Sequence, residues 1–307
     1  MIKTSTTSRL RSSFPARSTS LLRSLPSLVL LLSATLNAYA NQENTNLKAI
    51  SSATESVVKN SNATHRSPNN IARNQYRHPA DTLAFFGLKA DMTVVEIWPG
   101  GGWYSEILAP VLKDHGQYYA AGFSLIAERT PDWRKNYQRK FEEKLKQNPE
   151  VYGKTIVTDL SIPERTEIAP AGTADLALTF RNVHNWMKGE YAQDVFNSMY
   201  KALKPGGLLG VVEHRAKPNT SLEDMITSGY VTEAHVIKLA KTAGFKLEAR
   251  SEINGNAKDS SQHPKGVWTL PPSLRLGDKD RAKYLAIGES DRMTLKFVKP
   301  SAALKTP

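Results

Sequence analysis

From Thr93 onward, short apolar runs alternate with stretches of helical period, and this alternation constrains the fold more than any other feature of the chain. It is the signature of a parallel α/β sheet. Thr93 to Trp98 (TVVEIW) is a continuous apolar run broken by one Glu, suited to a strand covered on both faces. Gly100-Gly101-Gly102 then turn the chain into a helix carrying Ile107, Leu108, Val111 and Leu112, which Pro110 kinks or shortens. Gln117 to Phe123, Thr155 to Thr158, Ala174 to Phe180 and Leu208 to Glu213 predict the next four strands. Phe245 to Ile253 and Thr294 to Val298 predict the last two.

Between the second and third strands, Trp133, Tyr137, Phe141 and Leu145 recur every fourth position, which predicts a core-facing stripe on a charged helix. A helix from about Glu190 to Leu203 stops at Lys204-Pro205-Gly206-Gly207, and another around Thr232 to Ala243 closes at Gly244. The connection from Asn254 to Arg292 is far longer than a hairpin needs, so it is read as functional.

The first seventy residues read differently. Lys3, Arg9, Arg11, Arg17 and Arg23 form a basic region without an acidic residue, an apolar run from Leu25 to Leu36 follows, and Ala38-Tyr39-Ala40 ends it. That order predicts a secretory signal over 1–40, cleaved after Ala40, and a periplasmic or secreted location. An uncleaved anchor and an Arg/Ser-rich transit peptide are the other readings of the segment; the run is short for a membrane span. Residues 41–70 are rich in Asn, Ser, Thr and Ala and predict a flexible, disordered spacer. A single domain then occupies 71–300, with a short tail over 301–307.

Removing the five basic residues of the leader leaves +7 of the formal charge of +12, spread along the chain. No basic block interleaved with aromatics occurs, so nucleic acid is not an expected partner. Cysteine is absent, which excludes disulfides and thiolate chemistry.

In an open parallel sheet, ligands bind outside the carboxyl ends of the strands. That rule selects Glu96 to Tyr104, Gly122 to Ser124, Asp159, Arg181 to Trp186, and His214-Arg215. An acid ending a strand, followed by glycines opening a helix, lets a ligand approach bare backbone near a partial positive charge.

The run VVEIWPGGGWY resembles the glycine-rich first motif of class I S-adenosylmethionine-dependent methyltransferases. GTADLALTFRNVHNW resembles their fourth strand and loop, LKPGGLLGVVEHRA their fifth strand, and GFKLEARSEI and DRMTLKFVKP their last two. More narrowly, the chain is similar to exported bacterial predicted methyltransferases of unknown substrate. The resemblance covers roughly 71–300 and implies a doubly wound, Rossmann-like, seven-stranded sheet, mostly parallel with an antiparallel last strand. It implies S-adenosylmethionine as cofactor, lying across the first two strand ends, and a small-molecule acceptor.

By that resemblance Glu96 matches the first-motif acid, and Gly100 and Gly102 the second and third glycines, with Gly101 between them. Trp98 stands in the first glycine's place and Pro99 follows; a Trp there either fills volume near the donor or narrows the cleft. Asp159 matches the acid facing the adenine. The acid that holds the ribose is replaced by Gly122, leaving Ser124 or Glu128 to substitute. Arg181 and Asn182 complete the expected cofactor set.

For chemistry, a neutral imidazole suits removal of an acceptor's proton. His184 is the first candidate and His214 the second. Tyr76, Arg77, Asn185, Trp186, Arg215 and Trp268 are the expected substrate contacts, with Trp268 and the Glu289–Arg292 run forming a lid. His184, Glu213, His214 and Asp159 are of metal-ligand type, yet their spacing matches no metal motif, and no metal is expected. A non-catalytic exported binding protein and a His/Glu hydrolase are the competing functions.

Overall fold

A computed structural model gives the structure of residues 25–301, with side chains from residue 38 onward. The expected basic leader region and the tail from 302 lie outside these described residues. Among the described residues, those up to Leu47 belong to one compact unit and those from Lys48 onward to another. Helix α1 (Leu25–Ser61) is continuous through Ala40. Among the described residues, no helix is long and apolar enough to cross a membrane.

The second unit begins with the end of α1 and the short helices α2 (Pro68–Ile71), α3 (Asn74–Arg77) and α4 (Pro79–Phe85). Strands β1 (Thr93–Ile97), β2 (Gln117–Phe123), β3 (Ile156–Leu160), β4 (Ala174–Phe180) and β5 (Leu203–His214) follow. Helices α5 (Ser105–Leu112), α6 (Asp132–Gln147), α7 (Pro149–Tyr152), α8 (Val183–Lys188) and α9 (Ala192–Ala202) connect them. The chain ends with α10 (Leu222–Ser228), α11 (Glu233–Ala243), β6 (Lys246–Ser251), β7 (Pro264–Val267), α12 (Arg281–Ile287) and β8 (Arg292–Val298).

Seven strands form one sheet in the order β3-β2-β1-β4-β5-β8-β6, and β7 lies outside it. The pairs β1–β2, β1–β4, β2–β3 and β4–β5 are parallel, whereas β8 runs antiparallel to both β5 and β6. Alternation along β1 divides the core. Val95 and Ile97 face one layer with Trp186, Phe196 and Val236 of α8, α9 and α11. Val94 faces the other with Leu83, Phe86, Ile107, Leu108 and Phe141 of α4, α5 and α6.

The polar composition of 41–70 predicts a flexible spacer, and the structure differs. From Lys48 the segment is helical, and Ala53 and Val57 are buried. Beyond the helix, Arg66 is buried and donates from Nε to Glu106 Oε2 at 2.9 Å and from Nη1 to the Ser61 carbonyl at 2.5 Å. Asn70 and Lys144 supply Glu106 with two further donors. Two buried, oppositely charged groups far apart in sequence hold the segment down. Composition shows neither partner to the other.

The Trp133–Leu145 stripe also divides. Phe141 and Leu145 are core, but Trp133 is 62% and Tyr137 48% exposed. Pro110 leaves α5 eight residues long. β5 starts five residues earlier than its apolar run suggests, since Gly206 and Gly207 pair with Lys299 through backbone hydrogen bonds of 2.8 Å.

Candidate active site

The glycine turn after β1 takes left-handed backbone at Trp98 (φ 46°), Gly100 (φ 61°) and Gly102 (φ 79°). Gly102 is required twice over, because a Cβ there would also lie 2.9 Å from the Phe141 ring. Trp98 carries a full side chain in the same conformation, at a cost of about 1–2 kcal/mol. Burial offsets that cost: the residue is 6% exposed. Its indole Nε1 donates to the Leu160 carbonyl at 3.2 Å, and its ring centre lies 4.7 Å from Phe123 and 6.0 Å from Trp186. The Arg134 guanidinium stands 4.5 Å from the same ring. The indole therefore spans the carboxyl ends of β2 and β3.

The neighbouring positions are filled as well. A Cβ at Gly122 would lie 2.1 Å from Gln138 Oε1, which accepts the Phe123 N–H at 3.0 Å. Ser124 is buried and accepts from the amides of Ile126 and Ala127, capping the turn. Asp159 pairs with Arg165 at 3.0 Å in a separate hollow. Both Ser124 and Asp159 thus have local partners in the chain as folded.

Beyond the indole lies a cavity of about 380 Å³. Glu96, Trp98, Pro99, Gly100 and Gly101 line one side, and Arg77, Arg181, Asn182, His184, His214 and Trp268 line the other. Asn182 donates from Nδ2 to the Ile97 carbonyl at 2.9 Å, locking the loop after β4 to the end of β1. Glu96 accepts from Tyr118 at 2.5 Å and Ser105 at 3.0 Å. Burial raises its carboxyl from 4.5 to about 7, against those two hydrogen bonds and the pull of Arg181 and Lys144.

That shift has a stability consequence. Between the ordinary carboxyl value and about 7, the folded chain keeps a proton that the unfolded chain has lost. Raising the pH through this window therefore destabilises the fold, by about 3 kcal/mol in all. Thermal melting from acid to pH 8 is expected to show that decline, and Glu96→Gln to remove it. Parallel melting curves for the two proteins would refute the assignment.

At the far wall, His184 Nδ1 lies 3.0 Å from Glu213 Oε1, and the backbone amides of His184 and His214 donate to the same carboxylate. With the Glu213 carboxylate as acceptor, Nδ1 of His184 carries the proton and Nε2 is left as the acceptor nitrogen of the neutral ring. His214 Nδ1 pairs with Ser290 Oγ at 2.6 Å. Burial, then His184 and Arg181, push the His214 imidazole well below its ordinary value. Ligand-type atoms of His184, Glu213 and His214 come within 4.8 Å of one another, so by type they could hold a metal ion. The cationic groups that act on His214 (Arg77, Arg181 and Arg292) oppose a divalent cation there.

Of the expected substrate contacts, Arg77 and Trp268 reach the cavity. Asn185 lines an adjoining basic groove of about 1450 Å³. Trp186 is core, packed on Trp98 and Phe196. Tyr76 lies beside Gly288, whose missing Cβ leaves room for its ring. Arg215 is bound by Glu233, Glu252 and Asp291, so its fork is already occupied. Gly102 sits beneath the turn against Phe141 rather than in the cavity lining. Arg73 and Tyr137 also line the cavity, and Gln138 fills the hollow at Gly122, although the sequence marks Tyr137 only as part of a core-facing stripe. Arg73 stands four residues before Arg77, on the same short helical path, and that spacing was its available signal.

No family model and no curated protein matches the sequence. Among solved structures, the [4+2]-cyclase SpnF is similar with a TM-score of 0.50 and 14% identity, over 75% of this chain and 84% of its own. A SAM dependent methyltransferase from Aquifex aeolicus gives 0.49 and 16% identity, over 76% and 94%. A strand order of β3-β2-β1-β4-β5-β8-β6 with β8 antiparallel, and a glycine turn leaving β1, give this chain the class I methyltransferase fold.

Proposed function

We propose that the chain is an S-adenosylmethionine-dependent methyltransferase acting on a small molecule, with His184 as the base and Trp98 standing in the donor's nucleoside place. One observation carries this reading: a single cavity joins the glycine turn to the His184–Glu213 pair. The donor, when bound, supplies an electrophilic methyl group. Glu96, Gly100, Gly101 and Asn182 offer a carboxylate, bare backbone and an amide to its amino-acid end. Its nucleoside end does not fit the chain as folded, because the indole covers β2 and β3 and Gln138 fills the hollow at Gly122. Binding in the fold's usual orientation requires the indole to leave.

On the acceptor side the chain's own groups suffice for proton transfer. His184 Nε2 takes the acceptor's proton, and Glu213, held by two backbone amides, stabilises the resulting imidazolium. Trp268, its ring centre 6.0 Å from that of His184, covers the site and limits water. The basic, apolar, small-residue order of the first forty residues supports an exported protein; cytosolic retention of the full-length chain on fractionation would oppose that.

Calorimetry with S-adenosylmethionine tests the assignment. The wild-type chain is expected to bind weakly, in the range of tens to hundreds of micromolar (on the order of −5 to −6 kcal/mol), and Gly100→Leu to abolish binding. Absence of binding both in the wild type and in Trp98→Gly would remove the methyltransferase reading.

A further inference from the structure

The polar wall of the cavity carries more positive charge than the protein neutralises. Arg77 is 1% exposed, and its guanidinium lies 4.5 Å from the Trp103 ring centre. Its Nε makes a 3.4 Å contact with Glu289, but Nη1 and Nη2 are buried without a hydrogen-bond partner. Nη2 of Arg73 is in the same condition. Glu289 is shared three ways, with Arg73 Nε at 2.5 Å and Arg292 Nη2 at 2.9 Å besides Arg77. Burial would raise its carboxyl, yet Arg77, Arg292, Arg181 and Arg73 together hold it at about 2. Glu96, the other acid in the lining, is near half protonation at neutral pH. One full negative charge therefore faces four guanidinium groups. An unsatisfied buried charge is costly, and a guanidinium fork has the geometry to hold a planar or tetrahedral oxyanion through two nitrogens; Arg77 lines the cavity, with those nitrogens just beneath its surface.

We propose that this wall is an oxyanion subsite and that the acceptor carries a carboxylate, phosphate or phosphonate group, gripped by the two terminal nitrogens of Arg77 with Arg73 and Arg181 beside them. The role of acceptor rests on the methyltransferase reading; the anion binding does not. Position favours the acceptor over the donor. Arg181 follows β4, Glu289 precedes β8, and Arg181, Arg292 and Arg77 act on His214 at the end of β5. The wall thus lies beside the His184–Glu213 pair, on the side of β4, β5 and β8. A molecule anchored there presents its remaining atoms to His184. The donor's amino-acid carboxylate is the other source of the same chemistry, and competition separates the two.

The test is calorimetry of the full chain with inorganic phosphate at constant ionic strength. Binding with a Kd below about 1 mM is expected, weakened at least tenfold in Arg77→Met and less in Arg77→Lys. Thermal melting gives an independent readout. Without phosphate, Arg77→Met is expected to melt no lower than wild type, since it removes a buried charge with two unpartnered nitrogens and only one long contact to Glu289, which keeps Arg73 and Arg292. Its melting temperature should no longer rise when phosphate is added. A second arm repeats the titration in excess L-methionine. Unchanged phosphate affinity supports the acceptor subsite, whereas displacement by methionine assigns the wall to the donor and overturns the proposal. Failure of wild type to bind phosphate, or equal binding by Arg77→Met, also overturns it. A null result with S-adenosylmethionine leaves these phosphate outcomes intact, so the two readings fail separately.

Discussion

Trp98→Gly is expected to bind S-adenosylmethionine at least tenfold, and up to about a hundredfold, more tightly than wild type. The indole and the nucleoside claim the same volume over β2 and β3, so the wild-type affinity is lowered by the small fraction of chains whose indole is out. That fraction is small because the indole is 6% exposed, hydrogen-bonded to Leu160 and stacked beside Phe123 and Arg134. Truncating a buried Trp costs about 3–5 kcal/mol. Glycine returns about 1–2 kcal/mol by accepting the left-handed backbone without strain. The free variant should therefore melt below wild type, and saturating S-adenosylmethionine should raise its melting temperature more than it raises that of wild type. Calorimetry and melting curves measure both effects. Equal affinity in the two proteins would mean that the indole does not stand in the donor's place.

Arg66→Met is expected to destabilise the chain by about 3–5 kcal/mol, because it takes from a buried carboxylate its one fully buried cationic partner. The Arg66 side chain is fully buried and that of Glu106 is 2% exposed. Asn70 and Lys144 remain as partners of Glu106, but Lys144 is partly exposed and replaces neither the buried charge nor its second bond to Ser61. For a domain of this size the loss corresponds to a melting temperature lower by roughly 10 °C. Arg66→Met combined with Glu106→Leu should recover much of it, since an apolar pair leaves no charge unpaired. Removing residues up to 70 should reproduce the single-variant loss. A truncated chain that melts with the intact one would restore the flexible-spacer reading.

The sheet was legible in the sequence because each strand announces itself locally. TVVEIW is apolar on both faces, and the helices that flank it declare a second, different period. The edge where ligands bind was legible for the same reason, since it follows from strand direction. His184 was within reach because it sits in the richest polar loop at that edge, and Glu213 and His214 because they end the next strand. Asp159 and Ser124 have types that suit a donor site, and what the sequence did not show is their local partners, Arg165 and two turn amides. The α6 stripe misled in its first half, where the periodicity is kept but Trp133 and Tyr137 are exposed.

By itself the sequence determined the strand order's local ingredients, the glycine turn after β1, and the polar residues at the carboxyl edge. These depend on contacts within a few residues, or on the periods 2 and 3.6 that backbone geometry imposes. Only the tertiary structure decided which side chains share a space. It put the Trp98 indole over β2 and β3, placed Gln138 in the hollow at Gly122, and tied Arg66 to Glu106. It also gathered Arg73, Arg77, Arg181 and Arg292 around Glu289. Each of these pairings joins segments brought together by folding, and their energies come from burial and charge at short range, which spacing along the chain does not encode.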